Sequence, residues 1–193
     1  MRGGGCRMLT RAKLGLAPDD FAVLAVGELN ANKNHRVLVE AMAELPANVK
    51  LFIAGVGSLH DELLALAARL GVSDRVTLLG YRSDIPALLN ACDLFCMPSK
   101  REGLGMSQLE AMASSLPCIA SKTAGSADLL AGMEQFIVAD GRPESYASAI
   151  RMAYNFTPAE RRCVSEKMFE TSRNFSVGRS LAIQERVYRE LEV

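Results

Sequence analysis

Residues 21–27 read FAVLAVG, and this stretch predicts how the chain folds. Six apolar residues in a row stop at Gly27, which is typical of a strand whose two faces are both buried in a parallel sheet. Residues 50–55 (KLFIAG) and 75–80 (RVTLLG) repeat the plan of a short, mostly apolar run that ends at a glycine. We therefore expect parallel strands whose carboxyl ends carry glycine.

Three more apolar runs farther along the chain predict further strands, at residues 94–97, 117–121 and 135–138. Apolar residues at helical spacing predict helices between the strands, over residues 35–45, 58–70, 85–90, 107–114 and 126–130. Strands that alternate with helices through short loops indicate an α/β fold. The fold class we predict is a single Rossmann-like, doubly wound sheet of six parallel strands with C-terminal helices.

The two ends of the chain differ from this middle part. Residues 144–154 have helical apolar spacing, residues 157–160 (TPAE) form a capping box, and residues 177–191 carry an apolar stripe, so we expect helices there. Residues 1–15 are basic, glycine-rich and weakly patterned, which predicts a linker-like or disordered start. Residues 16–193 are then one domain.

Composition argues against several classes of function. The 193 residues include 22 Lys plus Arg and 22 Asp plus Glu, so the net charge is zero and nucleic-acid binding is not expected. Five Cys without a CxxC pair indicate reduced thiols and a cytoplasmic setting. Two His in no metal-binding pattern predict no metal site. No apolar run approaches the roughly 20 residues of a membrane span, and the first residues lack a hydrophobic signal core.

The loops that follow the first five strands are the candidate sites, because ligands bind open α/β sheets at the carboxyl ends of the strands. All five loops contain glycine and four contain a cation. Glycine lets the backbone approach a ligand, and helix N-termini present N–H groups to an anion. Lys33, Lys100 and Arg101 could complete a pyrophosphate site.

Taken singly, these features have plainer interpretations. Residues 55–57 (GVG) are a fragment of the dinucleotide fingerprint, with His60 in place of its third glycine, and are equally well a tight turn. Lys33 alone is most simply a solvated surface charge. His60 is expected to be exposed and without a role, whereas His35 follows Lys33 closely and is the more interesting of the two.

Glu102 and Glu110 lie eight residues apart, one in a loop and one in the first turn of the next helix. Glu110 could close a capping box with Ser107, and Glu102 could simply pair with Arg101 or Lys100. The functional alternative is that carboxylates accept hydrogen bonds from vicinal hydroxyls. Glu110 would then hold a ribose diol and Glu102 a sugar hydroxyl. Spacing alone leaves both interpretations open.

Residues 102–113 (EGLGMSQLEAMA), followed by LP at 116–117, resemble the E-x7-E signature of the family 4 retaining glycosyltransferases. Further motifs of that family occur in order over about residues 8–192: GEL at 27–29, KNH at 33–35, GVG at 55–57, DRV at 74–76, GYR at 80–82, CDLF at 92–95 and PS at 98–99. The most similar branch makes bacterial capsular polysaccharide or exopolysaccharide. The resemblance implies a GT-B fold of two facing Rossmann-like domains, of which this chain is the C-terminal, donor-binding one.

The resemblance also implies a role for each matching residue. Glu102 would contact the donor sugar at the catalytic centre, Glu110 would bind the ribose hydroxyls, and Lys33 would contact the diphosphate. The other implied donor-binding residues are Gly27, Gly57, Tyr81, Arg82, Gly103, Leu104, Gly105 and Met106, with Tyr81 and Arg82 beside the base.

The implied reaction is glycosyl transfer with retention of anomeric configuration, from a nucleotide sugar, expected to be UDP-linked, to a polysaccharide or lipid-linked acceptor. Cations and helix N-termini would stabilise the diphosphate leaving group, and no cofactor or metal is required. The N-terminal acceptor domain is expected to be missing, or to be replaced by a second chain. Contact with a membrane would come only through that half, and the isolated chain would be inactive or weakly active.

Two positions depart from the family pattern. Glu28 stands where many members have an arginine on the diphosphate, so Lys33 would carry more of that contact, helped by Asn34, His35 or Arg101. Residues 127–128 (AD) stand where the family has a glutamate.

Two other functions compete with the donor half of an enzyme. One is a non-catalytic module that binds a nucleotide or nucleotide sugar. The other is a nicotinamide-dependent oxidoreductase, which the missing third glycine and the absence of an acid at the end of the second strand disfavour.

Overall fold

A computed structural model gives the fold and describes residues 4–176 together with 178, 179 and 181. The strands in these residues are β1 (Phe21–Val26), β2 (Val49–Ala54), β3 (Val76–Gly80), β4 (Leu94–Met97), β5 (Cys118–Ser121) and β6 (Ile137–Val138). They form one sheet in the order β3-β2-β1-β4-β5-β6, and every neighbouring pair of strands is parallel. The predicted fold class is confirmed.

The α-helices in the described residues are α1 (Gly4–Lys13), α2 (Arg36–Ala41), α3 (His60–Arg69), α4 (Ile85–Ala91), α5 (Met106–Ala113), α6 (Ala124–Leu129), α7 (Pro143–Tyr154) and α8 (Pro158–Arg173). Helix α2 contacts both α3 and α7, whereas α1 contacts α4 and α5 contacts α8. The helices that pack on one another thus form three sets, and helices flank the sheet as expected for an α/β fold.

The core lies on both sides of the two central strands, β1 and β4. Five of the six residues of β1 and all four of β4 are buried, as expected for strands without a solvent face. Leu24 of β1 and Phe95 of β4 lie opposite each other in the register and are fully buried.

Two predicted elements are shortened in the structure by 3-10 turns. The helix predicted over residues 35–45 is α2 followed by a 3-10 turn at Met42–Glu44, because Pro46 disfavours helical backbone just before it. The strand predicted over residues 135–138 keeps only β6, since Glu134–Phe136 forms a second 3-10 turn. The capping box at Thr157 is confirmed.

The predicted linker-like or disordered start differs most, because α1 is an ordered helix that packs on α4. Its anchor is Asp93, whose carboxylate accepts hydrogen bonds from Arg7 (2.6 Å), Arg11 (3.1 Å) and the buried N–H of Ala22 (2.9 Å). Arg7 also donates to the carbonyl groups of Asn90 and Cys92. The order of this segment thus depends on partners more than 80 residues away, which local patterning does not reveal.

The helix predicted over residues 177–191 lies largely outside the described residues. Within the described part of the chain, none of the helices combines the length and apolar character that a bilayer crossing needs.

Replacing the anchor of α1 tests its contribution to stability. Asp93→Ala should lower the free energy of unfolding by about 3 kcal/mol, because two half-buried guanidinium groups and one buried N–H lose their shared acceptor. Urea unfolding followed by circular dichroism measures the change. Asp61→Ala is the matched control, since that carboxylate is fully exposed and should leave stability unchanged. Equal stability of the two variants would contradict the anchoring role.

Candidate functional site

The candidate site is a crevice between the loops that follow β1 and β4. These strands are neighbours at the centre of the sheet, but the chain leaves β1 toward β2 on one side and leaves β4 toward β5 on the other. The loops therefore diverge and open a crevice at the carboxyl ends of the strands, which is the ligand site of doubly wound sheets.

An ion pair spans this crevice. Lys33 from the β1 loop donates its Nζ proton to Oε1 of Glu102 from the β4 loop. Both side chains are largely buried, with 27% and 14% of their surface exposed. The plainer sequence interpretation, in which Glu102 pairs with Arg101 or Lys100, is wrong: its partner is a residue 69 positions earlier in the chain.

Backbone hydrogen bonds hold the same two loops together. The Lys100 N–H donates to the carbonyl of Asn32 (2.8 Å), and the Asn32 side chain donates to the carbonyl of Arg101 (3.1 Å). Asn30 folds the β1 loop by accepting hydrogen bonds from the N–H groups of Asn32 (3.0 Å) and Lys33 (2.9 Å). The position of Lys33 is therefore fixed by its own loop before any ligand binds.

Two glycines at the strand ends are required by close packing of the backbone. A Cβ atom on Gly55 would lie 1.9 Å from the carbonyl oxygen of Gly27, and one on Gly57 would lie 2.4 Å from the carbonyl oxygen of Leu29. Both would clash. The GVG motif is thus a tight packing turn of β2 against the β1 loop, and Gly57 lies against Leu29 rather than along the cavity wall described next.

A cavity of about 280 Å³ lies at the carboxyl ends of β1, β2 and β3. Gly27, Gly55, Tyr81 and Arg82 line it, so three of the predicted donor-binding residues come together there. Tyr81 is 79% exposed and offers an open ring face. Arg82 is held by two hydrogen bonds to Asp84, of 2.7 and 2.6 Å, and this contact lowers the pKa of the Asp84 carboxyl.

The N-terminus of α5 forms the other wall of the crevice. Gly105 is the N-cap residue of this helix and Met106 its first helical residue, so Ser107 does not cap it and the capping-box interpretation of Glu110 is wrong. The first N–H groups of a helix have no partner within it and are free for an anion. Gly103 and Leu104 are exposed just ahead of them. Glu110 is exposed about 6 Å farther along the axis.

The two histidines have different surroundings. His35 is only 3% exposed, and its ring lies against the backbone of Gly27 and Glu28. Burial lowers the pKa of His35 to about 4, with Lys33 contributing repulsion, so the ring is neutral at pH 7. His35 therefore packs as a neutral ring against the backbone of the β1 loop. His60 is exposed and contacts Asp61.

Within the described residues, no cluster of His, Cys, Asp or Glu side chains is arranged to hold a metal ion. The loops at this edge of the sheet carry instead an ammonium group, a helix N-terminus, carboxylates and an aromatic ring. That set can bind a diphosphate, hydroxyl groups and a planar base.

Known proteins are similar to this chain in sequence and in fold. Residues 7–167 match the family described as "Glycosyl transferases group 1". The chain belongs to this family. The resemblance inferred from the E-x7-E motif is confirmed.

Relatives in the family indicate the length of a whole member. One relative is EpsD of Bacillus subtilis strain 168, which is named as a glycosyltransferase. It is 34% identical to this chain over a match that covers 92% of this chain and 48% of EpsD. LpsE of Rhizobium meliloti strain 1021, a lipopolysaccharide core biosynthesis glycosyltransferase, is 36% identical over 72% of this chain and 41% of its own. The chain thus spans about half of each relative or less.

A solved structure of Anabaena HepE in complex with UDP and glucose superimposes with a TM-score of 0.86 at 28% identity. The superposition covers 98% of this chain and 53% of HepE. The sheet and its flanking helices are therefore those of one half of a larger glycosyltransferase fold.

Sequence reasoning did not identify three residues that shape the site. Asn30 and Asn32 order the β1 loop, and Asp84 orients Arg82. The asparagines were detectable in principle, since ELNAN after a strand is a typical Asx-turn sequence.

Buried His35 predicts a specific pH dependence of stability. Its pKa is about 4 in the folded chain and about 6.5 unfolded, so the unfolded state binds more protons between these values. The free energy of unfolding should therefore fall by up to about 3 kcal/mol as the pH falls from 6.5 to 4, because His35 binds a proton more readily in the unfolded chain.

Urea unfolding of wild type and of His35→Phe tests this. The amount by which the free energy of unfolding of wild type exceeds that of His35→Phe should be smaller at pH 4 than at pH 7, by up to about 3 kcal/mol. His60→Gln serves as control and should follow wild type. A wild-type–His35→Phe difference that is constant with pH would contradict burial of a neutral ring.

Proposed function

We propose that this chain is the donor-binding half of a retaining glycosyltransferase that transfers a sugar from a UDP-linked donor to a polysaccharide or lipid-linked acceptor. The observation that supports this most strongly is the Lys33–Glu102 pair, which spans the crevice beside a cavity of suitable size for a base. Five cysteines without a CxxC pair in the sequence fit a cytoplasmic setting.

The nucleoside would occupy the cavity at the ends of β1, β2 and β3. Its base would lie beside Tyr81 and Arg82, where an exposed ring and an oriented guanidinium can stack on it. Glu110 would accept hydrogen bonds from the ribose hydroxyls, because it is exposed and its carboxylate has no hydrogen bond or ion pair among the described residues. HepE, whose complexes contain UDP and UDP-glucose, supports a uridine nucleotide.

The diphosphate would lie over residues 103–106, where the free N–H groups of α5 point toward it. Lys33 would then exchange its carboxylate partner for a phosphate oxygen. That exchange frees Glu102 to accept a hydrogen bond from a hydroxyl of the donor sugar. Glu28 lines the cavity and cannot supply the cation that many members have there, so Lys33 is the main cation on the diphosphate.

Transfer breaks the bond between the anomeric carbon and the phosphate oxygen and forms a bond from that carbon to an acceptor hydroxyl oxygen. Negative charge develops on the departing nucleoside diphosphate, which takes up the proton of that hydroxyl. The ammonium group of Lys33 and the N-terminus of α5 stabilise this charge. Their loops are fixed beforehand by Asn30 and Asn32, so little reorganisation is needed. The acceptor would be held by the half that relatives possess beyond the matched region.

Replacing Glu110 tests the ribose contact. Glu110→Gln should weaken UDP binding about tenfold, the effect of losing a hydrogen bond to a charged acceptor, and should leave stability unchanged because the residue is exposed and caps nothing. Isothermal titration calorimetry of the chain with UDP measures the affinity.

Glu170→Gln removes the same charge from an exposed position on α8 and should bind UDP like wild type. If Glu110→Gln binds UDP as tightly as this control, the ribose assignment fails. If the wild-type chain binds no nucleoside diphosphate, the donor-half proposal fails as a whole.

A further inference from the structure

A second, polar cavity of about 200 Å³ lies at the carboxyl ends of β4, β5 and β6. Its lining includes Asn34, Ser99, Lys100, Lys122 and residues 138–141. None of these residues lines the cavity assigned to the base, and the Lys33–Glu102 pair joins the loops that border the two. The second cavity is therefore a separate feature of the same sheet edge.

Two ammonium groups border this cavity without a carboxylate partner in the described structure. Lys100 and Lys122 are exposed, but the backbone of each is fixed by a hydrogen bond, from Lys100 N–H to the carbonyl of Asn32 (2.8 Å) and from Lys122 N–H to that of Val138 (3.0 Å). The Cα atoms from which the two side chains extend are thus held in defined positions.

The carboxylate in the cavity lining, that of Asp140, already has hydrogen-bond partners and a positively charged neighbour. Asp140 accepts hydrogen bonds from the Arg142 N–H (3.1 Å), the Arg142 guanidinium (2.7 Å) and the Ser145 hydroxyl (2.9 Å). These contacts, the backbone N–H first, lower the pKa of Asp140 to about 2. Its charge is balanced by Arg142, so the two lysines leave the cavity with net positive charge.

Ser99 supplies an independent indication of a ligand. The residue is 1% exposed and lines the cavity, and its hydroxyl has no hydrogen-bond partner among the described residues. A buried hydroxyl without a partner is unfavourable, because it has given up its hydrogen bonds to water. The neighbouring Ser121, by contrast, pairs with the hydroxyl of Tyr146 at 2.7 Å. The Ser99 hydroxyl is thus a donor that needs an acceptor inside the cavity.

We propose that this cavity binds a phosphoryl group, with the Ser99 hydroxyl and the ammonium groups of Lys100 and Lys122 as donors. A volume of about 200 Å³ is below that of most sites for drug-sized ligands and suits a small tetrahedral anion rather than a second nucleotide. The inference goes beyond the proposed function, because it concerns a site that the donor does not occupy.

The test is a titration of the ¹⁵N-labelled chain with inorganic phosphate, followed by NMR at constant ionic strength with excess UDP present. Saturable shifts are expected at the amides of residues 99–100, 122 and 139–141. Ser99→Ala should weaken binding about tenfold without loss of stability, and Lys122→Gln should weaken it roughly fivefold. Lys13→Gln, at an exposed position on α1, is the charge-matched control and should leave phosphate binding unchanged.

A parallel titration with glycerol 1-phosphate identifies the source of the group: tighter binding of the ester indicates a phosphorylated organic ligand, and equal binding indicates free phosphate. Three results would overturn the proposal. They are a linear response without saturation, equal affinities of Lys122→Gln and Lys13→Gln, and shifts confined to residues 103–106. The UDP affinity is measured separately, so a failure here is distinguishable from a failure of the donor-half proposal.

Discussion

The candidate site depends on the adjacency of β1 and β4, because that adjacency brings the loops of Lys33 and Glu102 face to face. A different strand order would separate these side chains, whatever their spacing in the sequence. The ion pair they form places an ammonium group and a carboxylate next to each other, partly shielded from water. In the proposed function, each group would contact a different part of one donor.

The loops around this pair are held by backbone contacts rather than by side-chain packing alone. Gly55 admits the carbonyl of Gly27, and Gly125 admits that of Gly103, each at a distance that excludes a Cβ atom. His35 fills the space behind the β1 loop as a neutral ring. A crevice built in this way is ordered before a ligand arrives, which reduces the entropy lost on binding.

The sequence predicts the buried strands best, because a strand covered on both faces is a short apolar run whatever its partners are. The runs at residues 21–26 and 94–97 coincide with β1 and β4, and the family motif led to the correct half of the fold. Features that depend on distant partners were missed. Helix α1 needs Asp93, and the partner of Glu102 lies in another loop.

The ends of helices were also hard to predict from the sequence. Ser107 matches a capping-box pattern with Glu110, yet α5 begins one residue earlier, behind Gly105, whose lack of a side chain lets it pack on Met97. A tertiary contact thus overrode a local capping preference. As a result, the Glu110 carboxylate is not part of a helix cap, as the proposed ribose contact requires.

A crystal structure of the chain with UDP tests the central claim most directly. The account predicts the base between Gly27 and Tyr81, the diphosphate over residues 103–106, and the Lys33 ammonium group moved from Glu102 to a phosphate oxygen. UDP bound elsewhere, or bound with the Lys33–Glu102 pair intact and no contact to α5, would contradict it.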